Sequence, residues 1–138
     1  MPSNGFSSAL SAWKQLLADD QVIDDTASLT DAQKATFAYS AKVLAILHPE
    51  KDQLAECLSI ARQHKQKLYT VSSGKNWGYG SQLPVSGDSV ILNLGRLKKI
   101  SNYDKKNGVV TVEAGVTQAE LAAFLKQQGD HHWMDCTG

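Results

Sequence analysis

Cysteine is scarce in this chain: Cys57 and Cys136 are the two among 138 residues, and their spacing makes neither a metal-ligand pattern nor a disulfide framework. Charge of either sign is in no excess, with Lys+Arg and Asp+Glu both at 14. That balance argues against a nucleic-acid or anionic-membrane surface. No apolar run approaches the ~20 residues that cross a bilayer. The opening Met-Pro-Ser-Asn-Gly-Phe has no basic region followed by an apolar stretch, so no signal peptide is expected and a cytoplasmic location is the default. Paired carboxylates and Ser/His/Asp or Cys/His arrangements are missing too, so no catalytic residue and no metal site is expected. The four histidines, His48, His64, His131 and His132, read as structural or solvated. Internal repeats, linkers and low-complexity tracts are absent.

What is present suits one soluble domain with a single core: 42% hydrophobic and 20% charged residues. Leu10, Trp13, Leu16 and Leu17 form an apolar stripe that predicts a helix over residues 7–19, with Ser7 or Ser8 as its cap. Asp31 to Ala41 is expected to form a second helix or an irregular arm. Val43–Leu47, ended by Pro49, reads as a buried strand. Lys51–Lys65 carries helical spacing at Leu54, Leu58 and Ala61, and Leu68–Val71 returns as a strand, completing a βαβ unit. Ser89–Leu94, Lys99–Tyr103 and Val109–Glu113 read as further strands, the last two joined by a turn through Asn107-Gly108. Thr117-Gln-Ala-Glu120 is a capping box opening a helix to about Gln128, with Leu121, Phe124 and Leu125 inward and Gly129 as its stop.

Between Val71 and Ser89 lies a loop punctuated by Gly74, Gly78 and Gly80. Glycines let a backbone adopt positive φ, so that successive N–H groups can converge on an anion. Two familiar phosphate motifs fail here. A P-loop would need Gly at position 69 and Ser or Thr at 76, where Tyr69 and Asn76 stand. A dinucleotide fingerprint starting at Gly78 would meet Leu83 where its third glycine belongs.

The run Val71-Ser-Ser-Gly-Lys-Asn-Trp-Gly-Tyr-Gly80, with Pro84 and the strand from Ser89, resembles the flavin pyrophosphate loop of the vanillyl-alcohol oxidase / para-cresol methylhydroxylase family of FAD-linked oxidoreductases. Val112-Glu-Ala-Gly-Val-Thr117 is similar to the family's Val-Glu-Pro-Gly-Val-Thr, with Ala114 in place of Pro. Leu47-His48-Pro49-Glu50 resembles the apolar-x-Pro entry to its first helix. The three blocks stand in the family's order, spanning about residues 43–138.

The resemblance implies an α+β fold: a para-cresol methylhydroxylase-type FAD-binding subdomain with a βαβ unit, hairpin strands and an N-terminal helical extension. Residues 1–41 would be the extension, and 42–138 the N-terminal portion of the FAD-binding domain. Family members are several times longer, so the chain is expected to be a fragment whose catalytic residues lie in a substrate domain beyond it. FAD is the implied cofactor, held by Ser72, Ser73, Gly74, Lys75, Asn76, Trp77 and Gly78, chiefly through backbone N–H groups. Burying a pyrophosphate is costly unless such donors are pre-arranged. A histidine in this loop tethers the flavin in wider relatives; Asn76 stands near that position, so no covalent link is expected here. Asp135-Cys136-Thr137-Gly138 resembles the start of a segment that runs past the flavin ribityl chain. Glu113 is left between an approach to the adenine side and a structural hydrogen bond. The implied whole enzyme oxidises a phenol or other alcohol by hydride transfer to FAD, then passes electrons to oxygen or a cytochrome. The alternatives are a stand-alone nucleotide- or anion-binding module without redox activity and a plain α+β interaction domain.

Overall fold

Val90 to Leu92 are apolar and largely β-branched, and they become the middle of the molecule. The computed structural model describes residues 4–35, 41–74 and 82–132. Its main sheet holds β1 (Val22–Ile23), β2 (Val43–Leu47), β3 (Lys67–Val71) and β4 (Ser89–Asn93) in the order β1-β2-β4-β3. β2 and β3 both run parallel to β4, and β1 closes the edge antiparallel to β2. Every residue of β4 is buried, as an apolar run covered on both faces should be. The βαβ unit exists, but its strands are not neighbours: β4 enters between β2 and β3. A continuous apolar strand gains most by taking the position with partners on both sides, and local pattern could not reveal that.

Successive strand residues face opposite ways. Ala45, Leu47, Val90 and Leu92 point to one face, where they join Phe6, Ala9, Trp13 and Leu17 of the first helix and Cys57, Ile60 and Ala61 of the third. The first helix, α1 (Asn4–Leu16), starts ahead of Ser7 and Ser8, so neither caps it; Ser11 Oγ instead donates to Ser7 O at 3.0 Å inside the helix. Trp13 is fully buried and its Nε1 donates to Cys57 O at 3.2 Å, joining α1 to α3 (Leu54–Gln63). Val43, Ile46, Val71 and Ile91 form the other face, with Ile23, Leu29, Ala32 and Tyr69 against them.

Leu29 and Ala32 belong to α2, Thr26–Ala32, which lies earlier in the chain than the expected arm over 31–41. Asp25 explains the shift: its carboxylate accepts the Ser28 N–H at 2.9 Å, and that cap starts the helix at Thr26. Residues 36–40 lie outside the described part. Gln21, 4% exposed, donates from Nε2 to His48 O at 3.1 Å and Gln53 Oε1 at 2.9 Å, sewing the N-terminal part to the β2–α3 turn.

β5 (Ile100–Asp104) and β6 (Val109–Val112) form a separate two-stranded antiparallel sheet. Asp104 accepts from Asn107 N and Nδ2, and Gly108 alone of the loop takes positive φ, +65°. The connection is therefore a four-residue loop with a glycine exit, not a two-residue primed turn. The capping box at Thr117 forms as expected: Glu120 N donates to Thr117 Oγ1 at 3.2 Å and Thr117 N to Glu120 Oε2 at 2.7 Å. It opens α4 (Gln118–Gln127), whose Phe124 meets Tyr103 edge-to-face at 5.5 Å. Gly129, φ +60°, ends it. The whole is the expected α+β fold.

Candidate functional site: a cleft at the carboxyl end of the parallel sheet

The two faces of the sheet end differently. On the α2 side, β2 continues through His48 and β4 ends at Asn93, which is in register with Val71 of β3. Beyond this row opens a cleft of about 670 Å³. His48, Ile46 and Asn93 line it from the sheet, and Gln82 from the loop before β4. Ala27, Ser28, Asp31, Ala32 and Lys34 form the opposing wall. Ligands of open α/β sheets bind outside the carboxyl ends of the strands, and this cleft has that position.

Ser72, Ser73 and Gly74 leave β3 at the same edge. Gly74 has φ +73°, a left-handed conformation that glycine adopts without the steric cost of a Cβ. A Cβ there would sit 2.4 Å from Gln82 Nε2, so the turn lies directly against a side chain lining the cleft. Lys75, Asn76, Trp77 and Gly78, also expected to bind, lie outside the described residues. Of the described expected residues, Gly74 lies against the lining residue Gln82, and the lining itself consists of groups the sequence did not single out for binding: His48, Gln82, Asn93 and the α2 wall.

Asn93 is 8% exposed, and its Oδ1 accepts the Gly95 N–H at 2.8 Å, so the amide is held in one orientation beside the cleft. His48 is half-buried. Burial first, then the Arg96 cation, holds its pKa below the ordinary histidine value, so at neutral pH it offers a neutral imidazole. Arg96 is itself pinned, donating to Asp20 Oδ2 at 2.6 Å and Glu50 Oε1 at 3.2 Å. One signal for Asn93 was visible: a polar residue closing the apolar run Val90–Leu92. Nothing in the sequence marks Lys34, since the fold alone brings α2 over the sheet.

Glu113 does not reach toward this cleft for a ligand. Its carboxylate accepts Lys99 N–H at 2.9 Å and pairs with Lys51 Nζ at 2.9 Å, and these bonds hold its pKa below the usual carboxylate range. Next to it, a Cβ at Gly115 would lie 2.4 Å from Leu94 O, so the Glu-Ala-Gly turn packs backbone to backbone against the segment after β4. Of the two readings of Glu113, the structural hydrogen bond is the one formed. Cys57 is buried, and burial raises its thiol pKa to about 11, so it is an unreactive core residue. Among the described residues no cluster of His, Cys, Asp and Glu can hold a metal, and no helix is long and apolar enough to cross a membrane.

A family model described as "FAD binding domain" matches residues 43–136. The chain belongs to the FAD-binding domain family. Two curated relatives extend the match through the N-terminal part. The 1'-carboxy-chondrochloren decarboxylase of Chondromyces crocatus is 37% identical over 94% of this chain, and the 4-cresol dehydrogenase (hydroxylating) flavoprotein subunit of Pseudomonas putida is 30% identical over 88%. The chain spans 24% of the length of each. The solved structure of p-cresol methylhydroxylase with substrate bound superposes on 92% of this chain with a TM-score of 0.85 at 27% identity, using 25% of its own chain. FAD is the cofactor of this FAD-binding domain, and its fold is of the para-cresol methylhydroxylase type. The residues present suit a dinucleotide: a left-handed glycine turn beside a cleft whose walls carry amide, hydroxyl, imidazole and ammonium donors.

Proposed function

We propose that this FAD-binding domain is the cofactor-holding segment of a longer flavin-dependent oxidoreductase. In this reading residues 1–41 are an N-terminal extension and 42–138 the first portion of the cofactor domain. Backbone N–H groups of Ser72, Ser73 and Gly74, continuing through Lys75, Asn76, Trp77 and Gly78, hold the FAD pyrophosphate, with the serine hydroxyls and the Asn76 amide in support. The observation that carries the reading is the positive φ of Gly74 at the end of β3, set against Gln82 and the cleft. When bound, FAD supplies a hydride acceptor; the segment's own part is to bind, orient and exclude water.

For the whole protein we propose a phenol or other alcohol as substrate, held by a domain outside this chain, with oxygen or a cytochrome as electron acceptor. The name of the Pseudomonas putida relative supports a phenol. A second reading has support from the name of the Chondromyces crocatus relative: a carboxylated substrate that loses its carboxyl group. The experiment is a flavin titration of the whole protein followed by absorbance, then reduction by candidate phenols, alcohols and carboxylated phenols. A bound flavin bleached by a phenol or alcohol supports the first substrate class, and release of carbon dioxide supports the second. A colourless protein that takes up no FAD overturns the reading.

A further inference from the structure

We infer that α2 and the residue positions just after it are a working wall of the cofactor cleft, and that Lys34 supplies a cation to the phosphate-bearing part of the dinucleotide. This rests on the flavin reading above. It goes beyond it because the family match begins at residue 43, whereas one whole side of the cleft is made from residues 27–34.

The geometry separates this wall from ordinary surface. Leu29 and Ala32 anchor α2 on the apolar face of the sheet, and Ala27, Ser28 and Lys34 border the opening. The helix N-terminus cannot be the anion site: Asp25 already occupies it through Ser28 N–H. Recognition therefore falls to side chains. Among the described residues Lys34 is the one Lys or Arg in the lining, which it shares with Gln82, and Gln82 lies against Gly74 of the pyrophosphate turn. Lys34 Nζ pairs with Asp31 Oδ1 at 2.6 Å, but the side chains are 76% and 74% exposed. Such a pair contributes little and exchanges readily for a pyrophosphate, whose two phosphates carry one negative charge each. Asp31 therefore acts as a placeholder that the cofactor displaces.

The test uses the whole protein, with FAD as the probe at low and high salt. Lys34→Gln is expected to weaken FAD binding about three- to tenfold at low salt and to flatten its salt dependence. Asp31→Asn is expected to tighten it about twofold by freeing the ammonium group. Ala27→Trp places a large ring at an exposed wall position, and is expected to abolish flavin retention while the apoprotein's unfolding midpoint stays put. Unchanged FAD affinity in Lys34→Gln and in Ala27→Trp overturns the inference while leaving the flavin reading intact. Occlusion by Ala27→Trp without any Lys34 effect keeps the wall and overturns the phosphate contact. A wild-type protein that holds no FAD overturns the flavin reading and this inference with it.

Discussion

The two faces of the central sheet were built from the same three strands yet do different work. One is closed by α1 and α3, of 13 and 10 residues, whose apolar stripes meet Ala45, Leu47, Val90 and Leu92 and leave Trp13 and Leu47 fully buried. The other is covered by α2, of only seven residues. On β2 and β4 its apolar packing stops at Ile46 and Ile91, and the next row along the strands holds Asn93 between His48 and the buried Val71 of β3. A short cover leaves the carboxyl edge open, and the open edge is where donors accumulate. The sealed packing is thus on the first face and the open cleft on the second.

Leu47 and Ile46 are adjacent in sequence and face opposite ways, so they set the two faces against each other directly. Leu47→Ala is expected to cost about 3–5 kcal/mol in urea denaturation, since its cavity is enclosed, and Trp13→Ala a similar amount. Ile46→Ala, bordering the cleft, is expected to cost less, about 2 kcal/mol, because water or a ligand can enter the space. Equal losses at 46 and 47 would show that the second face is as closed as the first. Gly74→Val is expected to cost about 1–2 kcal/mol through its positive φ, yet to eliminate flavin retention in the whole protein. Loss of stability with flavin affinity untouched would separate the glycine turn from the cofactor.

The smallest effect lies away from both faces. Lys98 first, then the Thr117 N–H, lowers the Glu120 pKa to about 2. A carboxylate depressed on folding adds stability that is complete above its unfolded value, about 4.3, and disappears as pH falls through its folded value. Unfolding midpoints should therefore fall between about pH 4.5 and 2. Glu120→Gln should flatten that slope, and Thr117→Ala should cost about 1 kcal/mol at neutral pH. None of these changes should alter flavin affinity, which gives a baseline for both faces.

Elements with strong local signals were legible. The capping box at Thr117 and Glu120, the strand ended by His48-Pro49 and the helix after it are set by nearest neighbours. α2 was misplaced because its Asp25 cap is one of two adjacent carboxylates in Asp24-Asp25-Thr26, and its apolar contacts come from a sheet distant in sequence. Of the proposed site, Ser72 to Gly74 were singled out by small residues and glycine, whereas His48 read as structural or solvated and Lys34 carried no local signal. Their meaning depends on what faces them.

Sequence alone decided most of the strands, the helices after Glu50 and Thr117 and where the glycine turn falls, because backbone sterics, capping and periodicity act within a few residues, and the family resemblance of three ordered motifs made FAD the cofactor to expect. Tertiary structure decided that β4 lies between β2 and β3, that one face is sealed and the other open, and that residues ahead of the family's domain wall the cleft. Those outcomes come from burying apolar area between segments far apart in the chain, and no local pattern carries that information.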